Sequence, residues 1–436
     1  MLEQFLKQLE FNLSISKAQI SIIATHFREH MEQGLRRSGS SLKMFPSYLQ
    51  APNSNEIGTF LALDFGGSNA RAAVVELKGD GTFMELHRVS RPLSDPITGR
   101  ELRAPSVNAE ELFDFLAEII QKVLDHSPLS PIISSSIPFP LGFTFSFPYH
   151  QRRIGEGLLL NWNKEIKTAG VVGKDVGELL CAALARQGLG SVVRPTAIIN
   201  DTVATFLTAA YQDSSVDIAS IIGTGHNTCY LEPKAPGFDG SLIINTESGN
   251  FSAVPETLYD QRLDQQSDTP GEQLFEKKLS GKYLGELFRQ IILDFSERGF
   301  LDFDFLRHWN QPYSISSKDL SLILTAEDNH SRHLFNIPRA ELDIFRRVTL
   351  LLFKRSARLV AASLIGVILH QDPHLIKPHT VAIDGSLYEG MPGYAQELTA
   401  ALSEGLASKS SLVTVKLSAG GSLTGAAIAA ALEKLM

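Results

Sequence analysis

Apolar positions along the chain switch between a helical and an extended spacing. Ile20, Ile23, Phe27 and Met31 recur at helical intervals, so the first fifty-odd residues read as helical. Pro46 to Ile57, with Pro52 and several Asn and Ser, reads as a linker. Leu61 to Leu77, LALDFGGSNARAAVVEL, reads as strand, glycine turn, strand. A related pattern starts at Ile218, IASIIGTGHNTCYLEP. The pair suggests two halves built on one plan, or a coincidence, since glycine turns between strands are common. Between them, Glu110 to Leu124 is an amphipathic helix, and Phe143, Phe145 and Phe147 alternate with Thr144 and Ser146 as in a half-buried strand. Asp175 can cap a helix running to about Gln187. Ala197–Ile199 is a short buried strand, followed by Asn200–Asp201 and a helix from Thr202 to Tyr211. After Asn245 the chain is polar as far as Pro270 and helical from Gly271. A long, mostly apolar helix covers 340–370, VAIDGSLYEG is a strand ending in Asp-Gly-Ser, and AGGSLTGAAIAAALEKLM is a glycine turn opening a small-residue helix. Strands alternating with helices predict an α/β protein.

The chain has 436 residues, enough for two to three domains. With 43% hydrophobic and 20% charged residues it is globular, which excludes disorder and fibrous repeats. Lys+Arg 40 against Asp+Glu 48 gives a net charge of −8 and no basic stripe, so no nucleic-acid partner is expected. Cys181 and Cys229 are too few for a disulfide framework or a thiolate zinc site, and read as small apolar residues in a reducing compartment. His26 and His30 are four apart, but without a third ligand in view they read as surface or capping histidines. No segment approaches the ~20 apolar residues of a membrane span. The start, MLEQFLKQLEFNLSIS, carries Glu3, Lys7 and Glu10 and lacks the layout of a secretory signal. A soluble, cytoplasmic protein with no membrane partner is expected.

Glycine turns after strands let an anion approach backbone N–H groups closely. Four such turns, at Gly66–Gly67, Gly223–Gly225, Gly385 and Gly420–Gly421, favour a polyphosphate ligand. A P-loop is rejected, since its near miss, Gly173–Lys174, runs into Asp175. A Rossmann turn is rejected too, because the Gly223 turn has Thr228 for the last glycine and leads into a strand. The protein-kinase loop is also absent. A pair of strand–turn–strand phosphate clamps remains. Asp64 suits Mg²⁺ held through water, or a turn-forming role. Arg71 suits phosphate neutralisation or a solvated surface, and Ser68 and Thr224 suit phosphate oxygens or turn filling. Asn200–Asp201 reads either as an N-cap or as a catalytic base beside a substrate amide, and both can hold. The positive end of the helix favours a carboxylate there. A weakly basic carboxylate suffices where the transition state is loose and the proton leaves late.

The blocks LALDFGGSNAR, LGFTFSFP, LLLNWNKEI, NDTVAT, IIGTGHNTCYLEP, INTESGNF, TPGEQLFEKKLSGKYLGELFR, KRSARLVAAS, VAIDGSLY and GGSLTGAAIAA occur in that order. Together they resemble the eukaryotic-type hexokinase family, over one catalytic unit spanning nearly the whole chain. The resemblance implies a two-domain α/β fold of the actin-like ATPase (ribonuclease H-like) class with a cleft between the domains. It places a small domain at 58–198 and 424–436 and a large domain at 1–57 and 199–423. The implied reaction is ATP-dependent phosphorylation of a hexose, glucose first, at its 6-hydroxyl, with the domains closing on the sugar so that water is kept from ATP.

By the same resemblance, Asp201 is the general base and Lys164 a second catalytic residue, with Asn163 where the family has Thr. Ser146, Asn163, Lys164, Asn200, Asp201, Asn227, Glu247 and Glu276 ring the sugar. A competitor lacking a hydroxyl leaves one such group unpaired, at roughly 1–3 kcal/mol. Gly66, Gly67, Ser68, Asn69 and Arg71 form the first phosphate segment, with Ser for the usual Thr. Gly223, Thr224 and Gly225 form the second. Asp384, Gly385 and Ser386 form a nucleotide-side segment, Gly421, Ser422 and Leu423 take the adenosine, and Asp64 positions hydrated Mg²⁺. The chain departs from the family at Ser248-Gly249-Asn250-Phe251, where Trp-Gly-Ala-Phe is usual, and at His226, where a small residue is commoner. These departures bear on substrate choice, and leave open a kinase preferring fructose, mannose or an amino sugar, or a catalytically weak sugar sensor. An actin-like filament former shares the fold without needing the sugar residues. Oligomeric state, monomer or homodimer, is left open.

Overall fold

The structure is a computed structural model that describes residues 1–95, 97–126, 138–162, 165–301, 309–325 and 341–435. The chain forms two compact units. One comprises Met1–Met44, Ser220–Thr228 and Thr246–Leu417, and the other Phe45–Ala219, Cys229–Asn245 and Ser418–Met436.

The second unit is built on a five-stranded sheet. Its strands run in the order Val193–Ile199, Phe139–Phe145, Ile57–Phe65, Asn69–Lys78 and Phe83–Pro92. The first three are parallel and the last two antiparallel. Side chains alternate between the faces. Leu61, Leu63, Phe65, Phe143 and Phe145 join the apolar face of the helix Ala109–His126 and residues of the helix Val176–Arg186, which Asp175 caps by accepting from the Glu178 N–H. On the other face, Ala62, Asp64, Gly142 and Thr144 are small or short. The helix Gly421–Leu435 therefore lies so close that a Cβ on Gly142 would sit 1.8 Å from the Ala426 carbonyl oxygen. The helix Asp201–Gln212 packs against that same helix, where a Cβ on Gly425 would fall 2.2 Å from the Ala204 carbonyl oxygen.

This arrangement corrects the half-buried strand expected around Phe143. Thr144 is 0% and Ser146 7% exposed, because helices cover both faces of this interior strand. The expected linker also differs. Phe45–Pro46 pairs antiparallel with the strand Leu242–Asn245, and residues 47–56 have no regular element but are packed down, with Leu49 and Glu56 buried. Ser54 Oγ donates to the Tyr211 carbonyl (2.7 Å), and the Tyr211 hydroxyl donates to the Glu56 carbonyl (2.8 Å).

The first unit centres on the helix Leu342–Gln371, which packs against the helices Lys17–Leu35 and Tyr394–Leu406. Its Gly366 permits close approach: a Cβ there would lie 2.9 Å from Phe27 Cβ. Within this core, Arg355 forms a two-pronged ion pair with Asp260 at 2.8 and 2.7 Å. Asp260 belongs to the helix Leu258–Gln266, a departure from the polar, non-helical reading of 245–270. That helix carries a capping box at Thr257 but few apolar residues, so its periodicity is weak. The helix Gly281–Glu297 follows, and the strands His379–Asp384 and Val413–Leu417 pair in parallel. Cys229 is buried and Cys181 is exposed. Among the described residues no helix is long and apolar enough to cross a membrane.

Candidate active site

Three parallel strands end in register in the second unit. Asp64 lies opposite Thr144, and Thr144 lies opposite Ile199. Their carboxyl ends therefore bring Asp64, Ser146, Asn200 and Asp201 to one end of the sheet, the carboxyl end at which open α/β sheets take ligands. Asp64 is 6% exposed, and Arg71 across the hairpin points its Nη1 to the carboxylate at 3.4 Å. The turn between them is closed by the Gly66 N–H donating to the Asn69 carbonyl (3.2 Å). The Ser146 N–H donates to the Phe65 carbonyl (3.3 Å), which ties this serine to the start of the turn.

Asn200 is the N-cap, its Oδ1 accepting from the Thr202 N–H at 3.0 Å. The Asp201 Oδ1 accepts from the same N–H at 2.9 Å. Capping and presentation of a carboxylate are thus performed by one dipeptide. Gly421 and Ser422 open the helix Gly421–Leu435, and their carbonyls accept from the Thr208 and Thr144 hydroxyls, both at 2.8 Å. Leu423 is buried.

The first unit gathers the other predicted residues. In the turn Gly223–Gly225, the Gly223 N–H donates to the Gly225 carbonyl (3.0 Å), and the Gly223 and Thr224 carbonyls accept from the Gly281 and Lys282 N–H groups (2.8 and 3.0 Å). Gly385 has φ 127°, and a Cβ there would lie 2.5 Å from the Ile222 carbonyl, so only glycine lets Asp384–Ser386 meet this turn. Glu276 Oε2 accepts from the His226 N–H at 2.9 Å and lies 2.8 Å from where a Gly225 Cβ would be. Asn227 Nδ2 faces Glu247 Oε1 at 3.5 Å, while its Oδ1 accepts from the Thr228 and Ser248 N–H groups (2.8 and 3.2 Å). Glu247 adopts a left-handed backbone, φ 51°, an uncommon state for a non-glycine residue. Phe251 and Phe275 meet edge to face beside these acids, with ring centroids 5.6 Å apart. Asn163 and Lys164 lie outside the described residues.

Two family models, both described as hexokinase, match residues 5–211 and 217–432. The chain belongs to the hexokinase family. Hexokinase-7 of Oryza sativa subsp. japonica is 35% identical to it over 464 residues, covering 98% of this chain and 96% of that protein. Hexokinase-2 of Candida albicans is 31% identical over 460 residues, covering 98% and 92%. The solved structure of a hexokinase from Schistosoma mansoni complexed with glucose shares 31% identity and a TM-score of 0.84, covering 98% of each chain. A ROK hexokinase from Thermus thermophilus, at 18% identity and TM-score 0.54 over 87% of this chain and 99% of that one, shares the fold. The fold is that of the actin-like ATPases, and the chain is a hexose kinase whose reaction is sugar phosphorylation with ATP as the co-substrate its family implies.

Some contacts of this hexokinase were not foreseen. His226, singled out only as an oddity, is fully buried; its Nδ1 donates to the Ile221 carbonyl (3.0 Å) and its ring packs on Phe275. Burial pushes the imidazole down to about 4, against the backbone bond that raises it. Asn250 donates its side-chain amide to the Glu247 carbonyl (3.3 Å), supporting the left-handed residue. His30 packs its ring edge to face on Phe251 (centroids 5.3 Å apart) and its Nδ1 accepts from Ser41 Oγ at 3.0 Å; the described residues hold no cluster of three or more metal-ligand side chains.

Proposed function

We propose that this hexokinase transfers the γ-phosphoryl group of ATP to the 6-hydroxyl of glucose, with Asp201 as general base. The observation that carries this reading is the placement of Asp201. It begins a helix at the carboxyl end of a parallel strand, its carboxylate held by the Thr202 N–H at 2.9 Å. In the proposed step the 6-hydroxyl oxygen attacks phosphorus, its proton passes to the Asp201 carboxylate, and the bond to the leaving ADP oxygen breaks. Little basicity is required, because the transition state is loose.

Asn200, Asn227, Glu247, Glu276 and Ser146 suit the remaining hydroxyls. Amides and carboxylates already oriented by backbone N–H groups lose little freedom on binding. The Asn227 side chain illustrates this: two N–H groups fix its Oδ1, so its Nδ2 direction is set. The turns at 66–69 and 223–225 and the segments 384–386 and 421–423 would take the nucleotide. Asp64 fits hydrated Mg²⁺: one nearly buried carboxylate matches an ion that keeps its waters and takes one or two carboxylates plus phosphates. When bound, the ion would neutralise charge on the phosphates.

A second reading, preference for fructose, mannose or an amino sugar, draws on the Glu247–Phe251 segment. Ser248 is fully buried, and its hydroxyl has no hydrogen-bond partner among the described residues. ADP formation with ATP and Mg²⁺ over glucose, fructose, mannose, glucosamine and no sugar separates the two. The first reading expects sugar-dependent turnover with the highest kcat/KM for glucose, and a higher value for another hexose overturns it.

A further inference from the structure

We propose that Thr144 and Thr208 are positioning residues for the nucleotide, clamping the first turn of the helix Gly421–Leu435 from two sides. This rests on the reading of Gly421–Leu423 as the adenosine segment. Both threonines are buried, at 0% and 4% exposure. The Thr208 hydroxyl donates to the Gly421 carbonyl and the Thr144 hydroxyl to the Ser422 carbonyl, each at 2.8 Å.

The consequence follows from peptide planarity. A carbonyl and the N–H of the next residue share one rigid plane and point oppositely. Holding the Gly421 carbonyl therefore aims the Ser422 N–H, and holding the Ser422 carbonyl aims the Leu423 N–H. These N–H groups belong to the first turn of a helix, where four donors have no partner within the helix. The two hydroxyls thus fix the direction of donors offered to the nucleotide.

The clamp is stiff on both sides. Thr144 stands in register between Asp64 and Ile199 on an interior strand, and Thr208 lies two turns along the helix that Asp201 begins. Backbone contact at Gly142–Ala426 and Ala204–Gly425 leaves the helix no room to settle elsewhere. The groups that hold the adenosine segment are therefore built into the helix that Asp201 begins and the strand paired with the one that carries Asp64, rather than into a separate loop.

The test uses the full-length enzyme with Thr144→Val and Thr208→Val, singly and combined, the matching Thr→Ser variants, and Ser422→Phe. Valine keeps the shape and removes the donor. A hydrogen bond of ordinary net strength predicts a rise in KM for ATP of about 5-fold for each valine variant and about 25-fold for the pair. KM for glucose should stay within about 2-fold, and the serine variants should restore the wild-type KM for ATP. If KM for ATP stays unchanged in the valine pair while Ser422→Phe raises it, the clamp is overturned and the adenosine segment stands. If Ser422→Phe leaves KM for ATP unchanged, the reading of the segment falls and the clamp with it. A parallel loss of kcat, both KM values and thermal stability in the valine variants, unrescued by serine, overturns the positioning role in favour of a purely structural one.

Discussion

Replacing His226 with Asn should flatten the acid side of the stability profile. The folded imidazole sits at about 4, against an ordinary value of 6.5, because burial disfavours its charged form. Above pH 6.5 neither folded nor unfolded chain carries the proton, and the group leaves stability unchanged. Below 6.5 the unfolded chain binds a proton that the folded protein refuses, so stability falls until about pH 4. Between pH 7.5 and pH 5 this loss amounts to about 2 kcal/mol. Asparagine keeps a donor for the Ile221 carbonyl, which His226 Nδ1 now serves at 3.0 Å, but cannot take up the proton. Urea unfolding of both proteins at the two pH values, followed by circular dichroism, gives the comparison. Wild type should lose about 2 kcal/mol more than the variant over this interval, other titrating groups cancelling. Equal losses would show that the imidazole is not sealed from solvent, and would refute the packing described around Phe275 and Glu276.

Gly385→Ala should lower Tm by several degrees and raise KM for ATP, because a Cβ would meet the Ile222 carbonyl at 2.5 Å at a φ of 127°, with a cost of about 3 kcal/mol; unchanged calorimetry would refute the close approach. Arg355→Met should destabilise the first unit by about 3–5 kcal/mol in denaturant titrations. Burial pushes the Asp260 carboxyl up, Arg355 outweighs that and holds it low, and the variant leaves the acid without its two-pronged partner. Tyr211→Phe should cost about 1–2 kcal/mol in the same titration, since the hydroxyl donates to the Glu56 carbonyl and accepts from the Gly79 N–H.

Much of the fold was legible because its signals are local. The strand–glycine turn–strand run at 61–77 and the Asn200 cap each state their element in a few residues, and the observed strands and helix follow them closely. What escaped depended on distant partners. The helix Leu258–Gln266 presents few apolar residues and is held by Asp260 reaching Arg355, ninety-five positions away, a contact no window of sequence contains. The strand Phe83–Pro92 went unread because, as a sheet edge, it mixes exposed residues such as Glu85, Arg88 and Ser90 with half-buried ones and has no buried side chain. The site divides in the same way. Glycine turns and the Asn-Asp pair announced themselves by residue type. The supports, such as the His226 N–H on Glu276 and the Asn250 amide on the Glu247 carbonyl, come from backbone direction, which residue identity does not encode. Thr144 carried a usable signal, since it alternates with Phe143 and Phe145 and its polar side had to be satisfied once the strand proved buried on both faces.

The central claim is tested most directly by comparing wild type and Asp201→Ala at saturating ATP and Mg²⁺, with kcat from ADP release and glucose affinity from calorimetry. A general base predicts a fall in kcat of at least ~100-fold with glucose affinity within a few-fold of wild type. Turnover near the wild-type rate in the variant would contradict it.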